Sequence, residues 1–265
     1  MTHSPSYSQS RSILATPLEC LRGVGPRLIE KLARLDLTTV EDLLYTLPIR
    51  YEDRREIRRI AQLQDGVDQV FYGEILSSGE AFTPKTRKKL YEVIVGDGTG
   101  RIVLKWFHYR REWMKNRFPA GRHAIISGEV KRFGSLREVH HPDIEFLAPD
   151  QDPNSYLAAD SLSFGRLLPV YPLTEGLHQK TARKIWKEAV ERFAASAVSP
   201  IPPSILERRR LLPLDEAIHQ SHWPDERQSL PELNAGRDPA RRSLVFDEFF
   251  FLELGLALRR RGIVI

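Results

Sequence analysis

The chain has 265 residues, of which 41% are hydrophobic and 28% charged, and its net charge is +5. This length allows two or three compact units, and the composition is that of a soluble globular protein with disorder confined to ends and joints. The single cysteine, Cys20, excludes an internal disulfide framework and a cysteine-rich zinc site. One isolated cysteine is typical of the reducing cytoplasm, which is the predicted location.

The N-terminal region reads as a tail followed by a helical hairpin. Residues 1–16 are polar and rich in serine, which predicts a flexible tail and no secretion signal. Residues 17–62 contain two stretches with leucines at helical spacing, which predicts the hairpin. Thr38 and Glu41 have the spacing of a capping box at the start of the second helix.

The first helix of this hairpin follows a glycine-rich turn. Gly23 and Gly25 free the backbone, and Pro26 suits the first helical position. A Gly-x-Gly turn at a helix start can present amides to a phosphate, so Gly23 and Gly25 are candidate phosphate contacts. A plain helical pair without a ligand is the alternative.

The spacing of apolar residues changes from helical to alternating at Val70, which predicts a β-domain over residues 63–149. One predicted helix, over residues 108–118, interrupts the strands after the third. The order of three strands, one helix and two strands is that of a five-stranded OB-fold barrel. The predicted strands are Val70–Phe82, Arg87–Asp97, Gly100–Phe107, Gly121–Phe133 and Leu136–Leu147.

The positive charge is concentrated in this β-domain. Residues 84–137 hold 14 Lys and Arg against 4 Asp and Glu, so the rest of the chain has a net charge of −5. Cations beside exposed aromatic rings suit a groove that holds phosphates and stacks unpaired bases. Charge runs are also common on solvated faces, and it is the strand order that favours a nucleic-acid partner.

The third predicted strand supplies a stacking candidate. Alternation places Ile102, Leu104 and Trp106 on the core face and Phe107 on the cationic surface. We therefore predict that Phe107 stacks on a base, with Trp106 in the core. The alternative is that Phe107 packs under the helix that follows.

Residues 150–265 are predicted to form a helical linker region after a polar, turn-rich stretch. The apolar run at 244–258 is too short to span a membrane and contains three acidic residues, so it is predicted to be a buried helix. The apolar ending after Arg261 begins a new element, which predicts that further chain follows.

No catalytic constellation is found in the sequence. It lacks a phosphate-binding Gly-x-x-x-x-Gly-Lys-[Ser/Thr] loop, so this chain alone is not expected to be an ATPase. His140 and His141 are adjacent and point to opposite faces of a strand, which argues against a joint metal site. We expect no catalytic residue, metal or cofactor in this chain.

Several stretches resemble the N-terminal part of the RecG family, bacterial ATP-dependent DNA helicases that remodel stalled replication forks. The resemblance spans residues 18–262. Its most specific parts are the stretches that begin at Leu47 and at Pro169. The stretches are Leu21-Arg22-Gly23-Val24-Gly25, Leu47-Pro48-Ile49-Arg50-Tyr51-Glu52-Asp53-Arg54, Pro169-Val170-Tyr171-Pro172-Leu173-Thr174-Glu175-Gly176, and in the β-domain Gly96 to Phe107 and Gly128 to Asp143.

The resemblance implies a multidomain α+β fold in which the OB-fold barrel is a wedge that splits DNA strands at a branch point. Phe107 matches the family's stacking aromatic. Arg111 stands where a second aromatic is expected, which leaves Tyr109 as a substitute. The DNA-binding residues implied by charge and resemblance together are Arg87, Lys88, Lys89, Arg101, Lys105, Phe107, Tyr109, Arg110, Arg111, Lys131 and Arg132.

The resemblance also implies partners and a longer protein. Branched and single-stranded DNA are the expected ligands, in replication fork reversal, recombination and repair, and single-strand-binding protein is a further candidate partner. ATP and magnesium are expected only in helicase lobes beyond Ile265, which would make the full-length protein an ATP-dependent helicase. A monomer with no membrane association is expected.

Two other functions remain open at this point. An OB-fold barrel with this charge also suits an RNA-handling enzyme, as a tRNA-binding module. A protein-docking scaffold for single-strand-binding protein is the other alternative.

Overall fold

The computed structural model describes residues 6–83, 87–134, 136–148, 151–158 and 162–262, and within these ranges it contains ten α-helices and nine β-strands. The helices are α1 (Tyr7–Leu14), α2 (Pro26–Ala33), α3 (Val40–Tyr45), α4 (Arg111–Arg117), α5 (Pro153–Ala158), α6 (Gln179–Phe193), α7 (Pro203–Arg209), α8 (Leu214–His222), α9 (Leu230–Asn234) and α10 (Pro239–Arg260). The strands are β1 (Arg50–Asp53), β2 (Ile57–Arg58), β3 (Asp68–Phe82), β4 (Lys89–Gly96), β5 (Arg101–Trp106), β6 (His123–Phe133), β7 (Leu136–His140), β8 (Asp143–Phe146) and β9 (Leu167–Val170).

The chain divides into two compact units. A helical unit comprises Met1–Glu52 and Pro169–Ile265, and a barrel unit comprises Asp53–Leu168. The predicted boundaries at 62/63 and 149/150 differ from this division, because the N-terminal hairpin and the C-terminal helices belong to one unit. The chain passes between the units in β1 and β9, which pair with each other.

Hydrogen bonds bring the two crossing segments together within each unit. In the helical unit the Ile49 amide donates to the Val170 carbonyl at 2.9 Å. In the barrel unit the Arg54 amide donates to the Arg166 carbonyl at 3.1 Å. The two chain ends at the break in the helical unit therefore lie side by side, and so do the two ends of the continuous barrel unit.

The core of the helical unit explains why the hairpin is not a domain of its own. Leu32 of α2 and Leu43 of α3 are fully buried in one cluster with Ile185 and Trp186 of α6. The Trp186 indole donates to the Leu43 carbonyl at 2.9 Å. Two short helices expose too much apolar surface to be stable alone, and α6 covers it.

The hairpin differs from its prediction at one cap. As predicted, α2 begins at Pro26, and Gly23 has a left-handed backbone (φ +81°). The capping box of α3 is formed by Thr39 and Asp42, one residue later than predicted. Thr38 and Thr39 can both cap, and Asp42 accepts both of their amides, at 2.9 and 2.8 Å.

The predicted flexible tail, residues 1–16, includes helix α1 in its described part. Ser6 caps α1 through a capping box with Gln9, and Leu14 is buried in the core of the helical unit. The cap and the buried Leu14 side chain both stabilise this helix. Residues 1–5 lie outside the described residues.

The most specific sequence stretches supply buried groups of the helical unit. Tyr171 stacks on Trp186 with ring centroids 4.4 Å apart, and its hydroxyl lies 2.9 Å from Nδ1 of His222. The Tyr51 hydroxyl donates to the Ser221 carbonyl. These residues hold the core together, so this part of the resemblance reflects packing.

The barrel unit has the strand order of an OB fold. β3 pairs antiparallel with both β4 and β6, β4 with β5, and β6 with β7, while β5 and β7 run parallel. The pairings thus pass through five strands and return to the first. The β5–β7 pairing covers only residues 103–105 against 138–140, so the barrel is partly open, as OB folds commonly are.

The fifth predicted strand is broken in two. His141 has φ +46°, a left-handed conformation that a strand cannot continue, and Pro142 has no amide to donate. The chain therefore leaves β7 at His140 and turns into β8, which pairs with β6 from Ala124 to Ser127. Alternation of side chains alone did not reveal this break.

Gly73 marks a close approach inside the barrel. A methyl group there would overlap Cγ1 of Val95 on β4 and lie 3.0 Å from the Gly96 carbonyl oxygen. Gly79, on the same strand, has no neighbouring atom within 4 Å of such a methyl group. Of these two glycines, Gly73 is the one that packing requires.

Among the residues that the structure describes, no helix is long and apolar enough to cross a membrane. The same part of the chain contains no group of three His, Cys, Asp or Glu side chains arranged to hold a metal ion.

Candidate nucleic-acid interface

The face alternation predicted for the third strand is present in β5. Ile102 and Leu104 are buried, and Trp106 is partly buried against the barrel core. Phe107 follows the last residue of the strand and remains 37% exposed. The ring of Phe107 is therefore available at the surface, beside the end of β5.

Histidines restrain the Phe107 ring. The His140 ring lies nearly perpendicular to it, with centroids 5.0 Å apart, and the His141 ring is tilted against it at 5.8 Å. The Phe107 amide also donates to Nε2 of His141 at 3.4 Å. These contacts limit the orientations of a ring that is still open to solvent.

Lys105 is already ion-paired. Its ammonium group contacts the Glu138 carboxylate and lies 3.6 Å from Glu92. Glu138 also accepts from His140 at 2.7 Å. Burial raises the pKa of Glu138, but Lys105 and His140 outweigh it and hold that pKa below its ordinary value. Lys105 supports the strand beneath Phe107 rather than standing free for a phosphate.

Tyr109 and Arg111 share one acidic partner. The Tyr109 hydroxyl donates to Oε1 of Glu80 at 2.8 Å, and Nε of Arg111 lies 3.4 Å from Oε2. Tyr109 packs against Tyr91 at the barrel core, so its ring is only partly accessible. Arg110, between them, is exposed and has no ion-pair partner within the described residues.

The β3–β4 hairpin brings three more predicted cations to this region. Arg87 has φ +49° in the turn, and Lys89 pairs with Phe82 across the hairpin. Arg87, Lys88 and Lys89 are exposed, and none of them forms an ion pair in the part of the chain that is described. Their charge is available to a ligand.

The predicted site separates into two groups along the strands. Lys89 lies at the same end of the β4–β5 pair as Phe107, because Tyr91 pairs with Trp106. Arg101 lies at the other end, where it pairs with Gly96. Six residues of β5 span about 17 Å, so Arg101 does not share one contact point with Phe107.

Lys131 and Arg132 belong with Arg101 rather than with Phe107. Lys131 pairs across the strands with Glu138, which is level with Val103 of β5. Each of the two also has a carboxylate partner, Glu129 at 3.3 Å from Lys131 and Asp65 at 3.4 Å from Arg132. Their positive charge is largely balanced locally.

The candidate phosphate turn of the hairpin is partly occupied. The Arg22 amide donates to Oε1 of Glu188 at 2.8 Å, and the Val24 amide donates to the Leu21 carbonyl at 3.3 Å. Gly25 is the N-terminal cap of α2 and provides no side chain. Phosphate binding by Gly23 and Gly25 remains a prediction.

Sequence reasoning missed several exposed groups of the barrel unit. Phe82 is 59% exposed at the tip of the β3–β4 hairpin, and Trp113 on α4 is 54% exposed. Arg117 and Arg122 lie over aromatic rings. Trp113 and Arg117 are four residues apart, so they are neighbours on one face of α4. This spacing is the sequence signal that could have identified the pair.

Comparison with known proteins gives matches that cover most of the chain. A family model described as the RecG wedge domain matches residues 17–193. The ATP-dependent DNA helicase RecG of Escherichia coli K12 is 33% identical over 255 residues, which cover 96% of this chain and 35% of that protein. The protein of the same name from Synechocystis is 35% identical over 266 residues, with 97% and 30% covered. This chain thus spans about a third of the length of these relatives.

A solved structure of RecG bound to a three-way DNA junction has a TM-score of 0.67 to this chain, with 27% sequence identity. The match covers 94% of this chain and 32% of that one. Together with the family match, which includes both the hairpin and the barrel, it leads to one conclusion. This chain belongs to the RecG wedge domain family.

Proposed function

We propose that this chain binds branched DNA through its OB-like barrel, with Phe107 at the branch point. The observation that carries the proposal is an exposed ring, held by His140 and His141, near cations that have no ion-pair partner in the described residues. The likeness to a RecG structure bound to a three-way junction supports the same ligand.

The chemistry of the two DNA forms explains why a ring at this position favours a branch. Bases inside a duplex are stacked on each other and present only edges and phosphates to a protein. An unpaired base at a fork offers a π-face that an aromatic side chain can stack on. Phe107 would stack on that base, while Lys89 and Arg110 would bind nearby phosphates.

We assign this chain to the N-terminal part of a longer ATP-dependent helicase that acts in fork reversal, recombination and repair. ATP and magnesium would bind in helicase lobes outside this sequence, since the matched relatives are named ATP-dependent DNA helicases and this chain covers about a third of their length. In this proposal the protein is a cytoplasmic monomer that acts on branched and single-stranded DNA, and single-strand-binding protein is a candidate partner.

The test is substitution of the exposed ring, Phe107→Ala. Loss of one base stack of about 1–3 kcal/mol should weaken binding to a three-way junction by about 5- to 150-fold. Binding to a duplex of the same length should hardly change, because it depends on phosphates. Phe107→Trp should restore junction binding, and both affinities are measured by fluorescence anisotropy.

Trp106→Ala is the matched control on the neighbouring residue. Its partly buried ring packs 5.1 Å from Phe118, so we expect a lower melting temperature, at a cost of about 3 kcal/mol, without junction selectivity. Equal losses on junction and duplex for Phe107→Ala would refute the stacking role. Displacement of the junction by a tRNA-like hairpin at equal salt would favour the RNA-binding alternative.

A further inference from the structure

A second set of rings and cations lies on the barrel unit, separate from Phe107. The Arg117 guanidinium lies over the Trp113 ring, 4.5 Å from its centroid, and 5.4 Å from the centroid of Phe146. The Arg122 guanidinium lies over the same Phe146 ring at 3.8 Å. The four side chains form a row in which aromatic and cationic groups alternate, here called the ring–cation row.

The two arginines of this row have no ion-pair partner among the described residues. Burial lowers the pKa of Arg117, Arg122 lowers it further, and Glu145 opposes the shift. The two guanidinium groups lie over the same Phe146 ring, and the attraction of Glu145 outweighs their mutual repulsion at Arg117. A phosphate beside them would add to this attraction.

A cleft opens next to the ring–cation row. It has a volume of about 590 Å³, and Arg122 and Phe146 lie in its lining together with Tyr72 and His123. The Tyr72 and His123 rings are parallel within 5°, with centroids 5.4 Å apart, and their hydrogen bond of 2.7 Å fixes them. A second cleft of about 520 Å³, which contains Arg101, shares these two rings.

These dimensions and chemical groups suit a flexible chain of bases and phosphates. Each cleft falls within the range of small-ligand sites, about 300–1,000 Å³, and the aromatic residues Tyr72 and His123 line both of them. Guanidinium groups bind phosphates and also stack on bases. A duplex hides its base faces and would use only the charges.

We propose that the ring–cation row and the adjoining Tyr72–His123 clefts form a second binding surface, for single-stranded nucleic acid. This inference rests on the proposed function, because the strand it would hold is an unpaired arm of the branched DNA. Phe107 stacks the base at the branch, and the row holds nucleotides farther along the separated strand.

The experiment uses the 265-residue chain and the double variant Trp113→Ala with Arg122→Ala. The probes are a 20-nucleotide oligothymidylate and a three-way junction whose arms are all double-stranded. We expect binding of oligothymidylate to weaken by about 5- to 150-fold, since at least one base stack is removed. Binding to the junction without single-stranded arms should be unchanged.

Two further measurements make the result specific. Arg59→Ala removes an exposed arginine of the same unit that lies outside the row, and it should leave oligothymidylate binding unchanged. Ultraviolet crosslinking of oligothymidylate to the wild-type chain should modify Trp113, Phe146 or Tyr72, as mapped by mass spectrometry. If the double variant has a lower melting temperature than the wild type, Arg122→Lys replaces it, since Arg122 is exposed. Lysine keeps the charge but lacks the planar guanidinium group, so oligothymidylate binding should still weaken.

The outcomes separate the two proposals. If folded variants of the row bind oligothymidylate as the wild type does, the second binding surface is overturned. The proposed function still holds in that case if Phe107→Ala weakens binding to the three-way junction. Absence of junction preference in the wild-type chain overturns the proposed function itself. The competitors for bound oligothymidylate are unlabelled oligothymidylate and a ten-residue peptide composed of Asp and Phe. If the peptide displaces the bound oligothymidylate more strongly, the surface binds acidic peptides and the proposal is overturned.

Discussion

His222 shows how a single buried side chain can make stability depend on pH. Its Nε2 lies 2.9 Å from the Leu44 carbonyl, which can only accept, so Nε2 carries the proton. Nδ1 then accepts from the Tyr171 hydroxyl. Both nitrogens are satisfied in the neutral ring, and burial lowers the pKa of His222 to about 4.

The helical unit should therefore lose stability in mild acid. As pH falls from about 6.5 to about 4, the unfolded chain protonates this histidine and the folded chain does not. The contribution of His222 to the free energy of unfolding is fully present above pH 6.5. It should decrease by about 3 kcal/mol by pH 4. Urea unfolding at several pH values, followed by tryptophan fluorescence, measures this decrease.

His222→Gln is the control for that pH dependence. Glutamine can still donate and accept hydrogen bonds but does not titrate, so the variant should be less stable at pH 7.5 and respond less to acid. An identical pH dependence in both proteins would mean that other groups, such as carboxylates, cause the loss.

At the scale of the element, β3 depends on one glycine. Gly73→Ala would place a methyl group against Val95 and the Gly96 carbonyl, and overpacking of this kind costs about 1–3 kcal/mol. The melting temperature of the barrel unit should fall accordingly, as measured by circular dichroism.

Gly79→Ala, on the same strand, is the matched substitution. Its methyl group meets no atom, so loss of backbone freedom in the unfolded chain should leave stability unchanged or slightly higher, by about 0.5 kcal/mol. Equal destabilisation by both substitutions would show that backbone effects, and not the close approach to β4, are responsible.

Sequence alone predicted those elements whose signal is local. The alternation in β5 identified Ile102 and Leu104 as buried and Phe107 as exposed, because a strand turns each side chain to one face. The break at His141 was missed, since a left-handed backbone at a histidine leaves no mark in an apolar pattern. The capping box was misplaced by one residue because Thr38 and Thr39 are adjacent.

The availability of the candidate cations could not be read from the sequence. Lys105 meets Glu138, which is 33 residues away in the chain, only because β5 and β7 pair. Arg132 meets Asp65 for the same kind of reason, through a contact between distant segments. A count of Lys and Arg therefore overstates the charge that is free to meet a phosphate.

Over the whole molecule this difference predicts how salt affects DNA binding. Removing one cation that binds a phosphate should flatten the log–log salt dependence of duplex binding by about 0.9. Lys89→Ala with Arg110→Ala removes two cations that have no ion pair in the described residues, and should flatten the slope by about one to two units.

The double substitution Lys131→Ala with Arg132→Ala removes the same formal charge, but carboxylates already balance these two cations. The salt-dependence slope should therefore change less than it does for Lys89→Ala with Arg110→Ala. Titrations between about 50 and 300 mM salt, where counterion release is readily measured, compare the two pairs. A larger change for Lys131 and Arg132 would place the main phosphate contacts at the opposite end of β5.

The pairing of β1 with β9 makes the barrel unit a nested insert in the helical unit. Ile49 and Val170 are hydrogen-bonded neighbours, and so are Arg54 and Arg166. Adjoining ends of this kind tolerate insertion and removal of whole domains, because a short linker can close the gap. Another nucleic-acid-binding module could therefore be grafted between Glu52 and Pro169, and recognition could diversify in evolution while the helical core stayed unaltered.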